Sequence, residues 1–301
     1  TVVQSVLVFA WNIVSVKIRP RLIRIEPIVR IFKYSVFQAM FSFVNYFARN
    51  LDNLLVGRFF GTTLLGYYDR AYKLNTYPIT YLSGVAGSVL QPYLTKYCDD
   101  AEAMYARYMK VARPIALVGA VVSALFTLGA PEITALFYGE RWVQAADLLR
   151  ILSVSLGFQM LNSIAGPVFQ SLGRTDYMFY TCLVNTGLTV IGITAGIVSG
   201  SLETLACGVT SAYVLHTVSN SYLLVAKGLH AHLHRYALEF TPELILVIVA
   251  SVLSFTIDFP ELGILQCLSL KSCICIILCI GIYSIFHQWG YLLGAFEELR
   301  K

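Results

Sequence analysis

Apolar residues run along this chain in long blocks separated by short polar or basic stretches. The blocks occupy 35–56, 74–95, 112–131, 148–171, 177–198, 203–226, 243–257 and about 264–286, with a shorter one at 2–16. A helix needs roughly 20 apolar residues to cross the hydrocarbon core of a bilayer. The pattern therefore predicts nine transmembrane helices, the first truncated, and the expected fold class is an all-α integral membrane protein. The block from Val2 to Val16 is too short to span. It also lacks the basic start and the small-residue cleavage site of a signal peptide. It reads as the end of a helix that begins upstream, in a C-terminal fragment of a longer protein.

Inside several blocks the polar residues fall at helical spacing. In the second block Gln38, Ser42, Asn45, Arg49 and Asp52 are separated by four, three, four and three positions, which places them on one face. The remaining faces are Phe, Val, Leu and Met. A charge at the bilayer centre costs about 2.5 to 3.5 kcal/mol on insertion scales, so such a face is stable only against protein or a water-filled cavity. Arg49 and Asp52 stand at i, i+3, and a pair between them would offset part of that cost. The third block repeats the pattern with Thr76, Thr80, Ser83, Gly87 and Gln91, and Pro78 and Pro92 are candidates to kink it. The fifth carries Ser155, Gln159, Asn162, Gly166 and Gln170, with Pro167 as a hinge candidate, and the sixth carries Thr181 and Asn185. Hydrogen bonding between closely packed helices accounts for the Ser, Thr and Gly positions, whereas Arg49 with Asp52 points to a solvated cavity. Arg150 is half a turn out of phase with Gln159. Its natural partner is Asp147.

Composition agrees with the block pattern. Of 301 residues, 57% are hydrophobic and 13% charged, about half the charge of an average soluble domain. The mean hydropathy is +0.69. These values exclude a soluble enzyme, a disordered scaffold and a nucleic-acid binder. The seven cysteines show no metal-ligand spacing, and four of them lie in or beside the last apolar block, where Cys is a small buried hydrophobe.

The net charge of +5 matters through its placement. Alternate loops hold fifteen Lys and Arg on one side, six of them in the segment 17–33, against five on the other side: Arg58, Arg70, Lys73, Arg141 and Lys271. The positive-inside rule makes the first side cytoplasmic, and the C-terminus with it. Local signals fit. Thr241, Pro242 and Glu243 read as N-cap, first-turn Pro and first-turn acid of the eighth block. Residues 136–149 form an amphipathic stretch expected at the outer interface, with Trp142 as an anchor. Asp99, Asp100 and Glu102 read as a solvated helix start. The three histidines of 230–234 have no Cys or acid beside them, so a head-group-facing loop is favoured over a metal site, and His216 is read as a core or interface residue.

The string ARNLDNLLVGRFFGTTLLGYYDRAYKL at 48–74 resembles a signature of the Wzx-like bacterial polysaccharide flippases of the MOP superfamily. FYGERWVQAADLLRILSVS at 137–155 and GPVFQSLGRTD at 166–176 resemble two further signatures, and RPRL at 19–22 resembles the linker between the lobes of that family. The resemblance implies two six-helix lobes around a central cavity, followed by two extra helices. On that pattern residues 1–16 are the end of helix six, 17–33 the basic cytoplasmic inter-lobe linker, 34–228 the second lobe, and 229–301 the two additional helices and tail. It implies a non-enzymatic flippase that moves undecaprenyl-diphosphate-linked oligosaccharide repeat units across the bacterial inner membrane by alternating access.

Membrane lipid, a polysaccharide polymerase and export proteins are the implied partners. Neither a cofactor nor nucleic acid is expected, and no Gly-rich phosphate loop occurs. For such cargo Arg49 is the expected diphosphate contact, since guanidinium grips phosphate in a fork. Asp52 is expected to hold Arg49 or carry a coupling proton, and Gln38, Asn45, Gln159 and Asn162 to meet sugar hydroxyls. A cation-coupled drug or metabolite antiporter of the same superfamily is the alternative, and would favour a more apolar cavity. A membrane glycosyltransferase or polymerase is disfavoured, because the outer loops are short and hold few titratable groups.

Overall fold

The computed structural model describes residues 6–11, 25–98, 100–257 and 263–286. The basic residues Lys17, Arg19, Arg21 and Arg24, the acid Asp99, and the C-terminal tail from His287 onward lie outside these residues. The chain divides into two compact units, Thr1–Val36 and Phe37–Lys301. In the first, residues 6–11 are helical and a further helix begins at Ile25, inside the segment read as a linker. The cavity and packing described below belong to the second.

The described residues are helical, as the apolar blocks predict, but the breaks fall elsewhere. The helical run α1 (Ile25–Thr95) is interrupted only at Gly61, with φ 84° and ψ 175°. That region of φ/ψ space is open to glycine and closed to residues with a Cβ. The chain reverses there, so the arms 37–60 and 62–95 form a hairpin with Asp52 and Tyr68 in hydrogen-bond contact. The stretch between the second and third blocks is thus helix on both sides of one glycine. Pro78 and Pro92 lie within the second arm without breaking it.

Asp100 caps α2 (Ala101–Leu128), accepting from the N–H groups of Glu102 and Ala103 at 3.1 and 3.0 Å. The helix begins eleven residues before the apolar block, so Arg107, Lys110 and Arg113 sit on its own early turns. The amphipathic stretch resolves into α3 (Ala130–Tyr138), a 3-10 turn (Glu140–Trp142) and α4 (Ala145–Ser153). Trp142 packs edge-on against Tyr67, and Arg70 lies 5.2 Å from its ring centroid. The expected Arg150–Asp147 pair is present at 3.8 Å. The fifth block is α4, α5 (Leu156–Ser163) and α6 (Ala165–Ser171), bent by 52°. The sixth block is α7 (Thr175–Ser199). The seventh is α8 (Leu202–Ser221), which passes into a π-helical turn, Tyr222–Gly228.

Then follow α9 (Leu233–Glu239), α10 (Thr241–Leu253) and α11 (Ile264–Ile285). Thr241 is not a side-chain N-cap. Its hydroxyl donates backward to the Leu238 carbonyl at 2.9 Å, while Pro242 and Glu243 keep their first-turn places.

By length and apolarity three described helices can cross a membrane, α2, α7 and α11, and up to five if the bent pairs α4 to α6 and α9 with α10 each count as one span. This is fewer than nine. The polar faces of the α1 arms lower their mean hydropathy although the arms are long.

Close packing rests on glycine at one crossing. A Cβ on Gly192 of α7 would stand 2.5 Å from the carbonyl carbon of Gly208 on α8. Gly192→Leu is therefore expected to force these helices apart and destabilise the protein by about 3 kcal/mol or more, seen as a lower melting temperature in detergent. An unchanged melting temperature would show that the contact is not tight.

α10 and α11 pack on α2 through an apolar seam of Ala120, Ala124, Leu246, Val247, Ala250 and Cys275, and polar links tie α9 to α2 and α11 to α10 and α3. Arg113 donates through Nε and Nη2 to Glu239, Tyr108 and Tyr236 share a hydroxyl hydrogen bond at 3.1 Å, and Tyr283 donates to Glu243 at 2.5 Å. Lys271, read from sequence as an outward-side cation, is 1% exposed and bonds Glu132 of α3 at 2.7 Å.

Candidate functional site

The two arms of α1 face α5 to α8 across a polar cavity of about 490 Å³, within the size range of small-molecule sites. Asn45, Arg49, Gln159 and Asn162, all singled out from the sequence, line it together. Thr76, Thr80 and Ser83 come from the second arm, Gly166 and Gln170 from α6, and Thr181 and Asn185 from α7. The helical spacing of each stripe made the polar face of each helix legible, and the packing of the helices brings those faces together.

The first stripe divides. Asn45 and Arg49 reach the cavity, whereas Gln38 does not line it; its Oε1 accepts a hydrogen bond at 3.3 Å from Gln170, which does. Asp52 is buried at 3% exposure and is absent from the cavity wall. Its Oδ2 accepts from the Tyr68 hydroxyl at 3.0 Å and its Oδ1 from the Asn53 N–H at 2.8 Å. The expected Arg49–Asp52 pair is absent. The reversal at Gly61 brings Tyr68 to the short Asp52 side chain, while the long Arg49 side chain extends toward open space. Tyr68 stacks on Tyr72 at 5.9 Å, and Tyr72 lines the cavity, so Asp52 reaches it only through these rings.

Among the described residues Arg49 makes no hydrogen bond or ion pair, and the cavity wall contains no Asp or Glu. Arg49 also borders a contiguous open recess of about 620 Å³ that includes the Lys73–Asp69 pair, joined at 2.7 Å. The opposite wall is neutral. Asn162 donates to Thr217 at 2.8 Å and accepts from Asn220 at 2.9 Å, and Gln159 donates to Ser155 at 2.9 Å. Tyr213, His216 and Asn220 complete that wall. The sequence points to a core or interface role for His216. Its spacing of three and four from Tyr213 and Asn220 is the same stripe signal seen elsewhere. Among the described residues no group of three His, Cys, Asp or Glu is placed to hold a metal, the histidines of 230–234 included.

The arrangement sets one unpaired guanidinium against amides, hydroxyls and aromatic rings. It can hold an anion at one side and hydroxyl-rich groups at the other.

The chain is similar to several known proteins. Residues 1–147 match the family "Polysaccharide biosynthesis protein". The chain is 25% identical over 228 residues to the teichuronic acid biosynthesis protein TuaB of Bacillus subtilis, an overlap of 75% of this chain and 47% of that protein. It is 21% identical over 222 residues to the lipopolysaccharide biosynthesis protein WzxC of Escherichia coli, covering 74% of this chain and 45% of the relative. The chain thus spans about half the length of these relatives. The structure superposes on lipid II flippase MurJ in its inward closed conformation with a TM-score of 0.64 at 15% identity, over 99% of this chain and 61% of MurJ. The resemblance to Wzx-type polysaccharide proteins is borne out, and the fold is shared with MurJ.

Proposed function

We propose that this protein is a flippase that carries undecaprenyl-diphosphate-linked oligosaccharide repeat units across the bacterial inner membrane, by alternating access, for surface polysaccharide biosynthesis. The observation that carries the reading is Arg49, an unpaired guanidinium inside a polar cavity without carboxylates. It matches a cargo whose linkage is anionic and whose remainder is hydroxyls. The polysaccharide biosynthesis relatives and the fold shared with a lipid II flippase support the same assignment. The polar lining weighs against an antiporter of apolar drugs.

In this reading Arg49 grips the diphosphate, and Asn45, Gln159 and Asn162 meet sugar hydroxyls. Gln38 acts through Gln170, which it holds at the wall. Asp52 is the proposed coupling group. One proton crossing the full field gains about 2.3 kcal/mol per 100 mV, enough to bias the rocking of two lobes. The tail is proposed to be cytoplasmic, where the basic loops would face the anionic leaflet. A polymerase and export proteins are the proposed partners that receive the product.

The test is complementation. The full-length protein, expressed in a flippase-deficient strain that makes the matching repeat unit, is expected to restore surface polysaccharide. If it reaches the membrane and restores none, the reading fails.

A further inference from the structure

Two polar atoms in the cavity wall are buried without a hydrogen-bond partner, Asn185 Oδ1 on α7 and His216 Nε2 on α8. The helix register brings them level. Gly192 meets Gly208, and Gly196 meets Leu205, so α7 and α8 run antiparallel in close contact. Seven residues back from Gly192 is Asn185, and eight forward from Gly208 is His216, about two turns from the crossing on each helix. Buried polar atoms left unpaired are uncommon because the missing bond is costly. Two of them on facing helices, just behind the surface of one cavity that both residues line, mark a place where a small shift of the side chains lets a ligand group complete the bonding.

The atoms define that group. An amide oxygen only accepts, while an imidazole nitrogen donates or accepts according to tautomer. A phosphate oxygen without a proton cannot satisfy Asn185 Oδ1, because it has nothing to donate. A hydroxyl donates to Oδ1 and bonds Nε2 with its remaining capacity. The neighbours on this wall, Tyr213 and Asn220, are also neutral, and the cavity's guanidinium stands on α1. We infer that Asn185 and His216 form a sugar-hydroxyl subsite that reads the glycan of the cargo, separate from the diphosphate contact at Arg49. The inference rests on the flippase reading above and adds to it two further residues, on α7 and α8, that recognise sugar.

The test uses the full-length protein in lipid nanodiscs and two probes. One is the undecaprenyl-diphosphate-linked repeat unit extracted from the strain that carries the gene; the other is undecaprenyl diphosphate without sugar. The native protein is expected to bind the first more tightly. Asn185→Leu and His216→Leu should each weaken it by roughly 5- to 10-fold and leave the sugar-free lipid unaffected, which also shows that the variants are folded. His216→Gln, which keeps an amide nitrogen near the Nε2 position, should recover most of the affinity. Equal weakening of both lipids, or of neither, overturns the subsite. Native binding without preference for the sugar overturns it too but leaves the flippase reading standing. Native binding of neither lipid removes the flippase reading, and the subsite with it.

Discussion

Arg49→Ala is expected to abolish the restoration of surface polysaccharide while the protein still accumulates in the membrane. The side chain is exposed to the cavity and makes no ion pair among the described residues, so its removal leaves no buried partner stranded. What it takes away is a charge-assisted contact to the diphosphate, about 1.5 to 3 kcal/mol. That corresponds to roughly 10- to 150-fold weaker cargo binding. Arg49→Lys keeps the charge and loses the planar fork, so it should transport at an intermediate level. Complementation paired with immunoblotting of membrane fractions measures both. Normal surface polysaccharide with Arg49→Ala would remove Arg49 from the mechanism.

Lys271→Ala should be among the most destabilising single changes in the protein. Lys271 is almost fully enclosed and its ammonium bonds Glu132 Oε1, while Glu132 Oε2 is buried without a partner. Deleting the lysine leaves a buried carboxylate without its ammonium partner, at a cost of about 3 to 5 kcal/mol. In a detergent-solubilised melt this is a fall on the order of 10 °C. The paired change Lys271→Met with Glu132→Leu should recover most of the loss, because two apolar side chains replace two buried charges. If Lys271→Ala melts with the native protein, the ion pair does not hold α11 against α3.

The two residues differ in how far they could be read from sequence. Arg49 belongs to a polar stripe on one helix face, and helical spacing alone separates that face from the apolar ones. The same logic placed Asn45, Gln159 and Asn162 at the cavity. Lys271 stands alone in an apolar helix, and its partner lies 139 residues earlier in the chain. No local pattern links them. His216 was an intermediate case. Its stripe with Tyr213 and Asn220 is present in the sequence, yet a single histidine in an apolar block suggests only a core or interface role.

Asp52 marks the limit of the stripe argument. Spacing placed it beside Arg49, and both are on the same helix face, but the sharp reversal at Gly61 supplied a closer partner in Tyr68. A short carboxylate is claimed by whatever packs against its own backbone, whereas a long guanidinium reaches past it.

The sequence by itself determined the class of this protein. Long apolar blocks with little charge leave a helical membrane protein as the stable solution, because backbone groups in lipid must bond within their own helix. It also determined which helix faces are polar, since that depends only on spacing along one segment. The tertiary structure alone decided where the helices bend, which polar faces meet, and how buried charges are paired. Those outcomes depend on contacts between segments far apart in the chain: the hairpin at Gly61, the glycine crossing of α7 and α8, and the seating of α10 and α11 on α2.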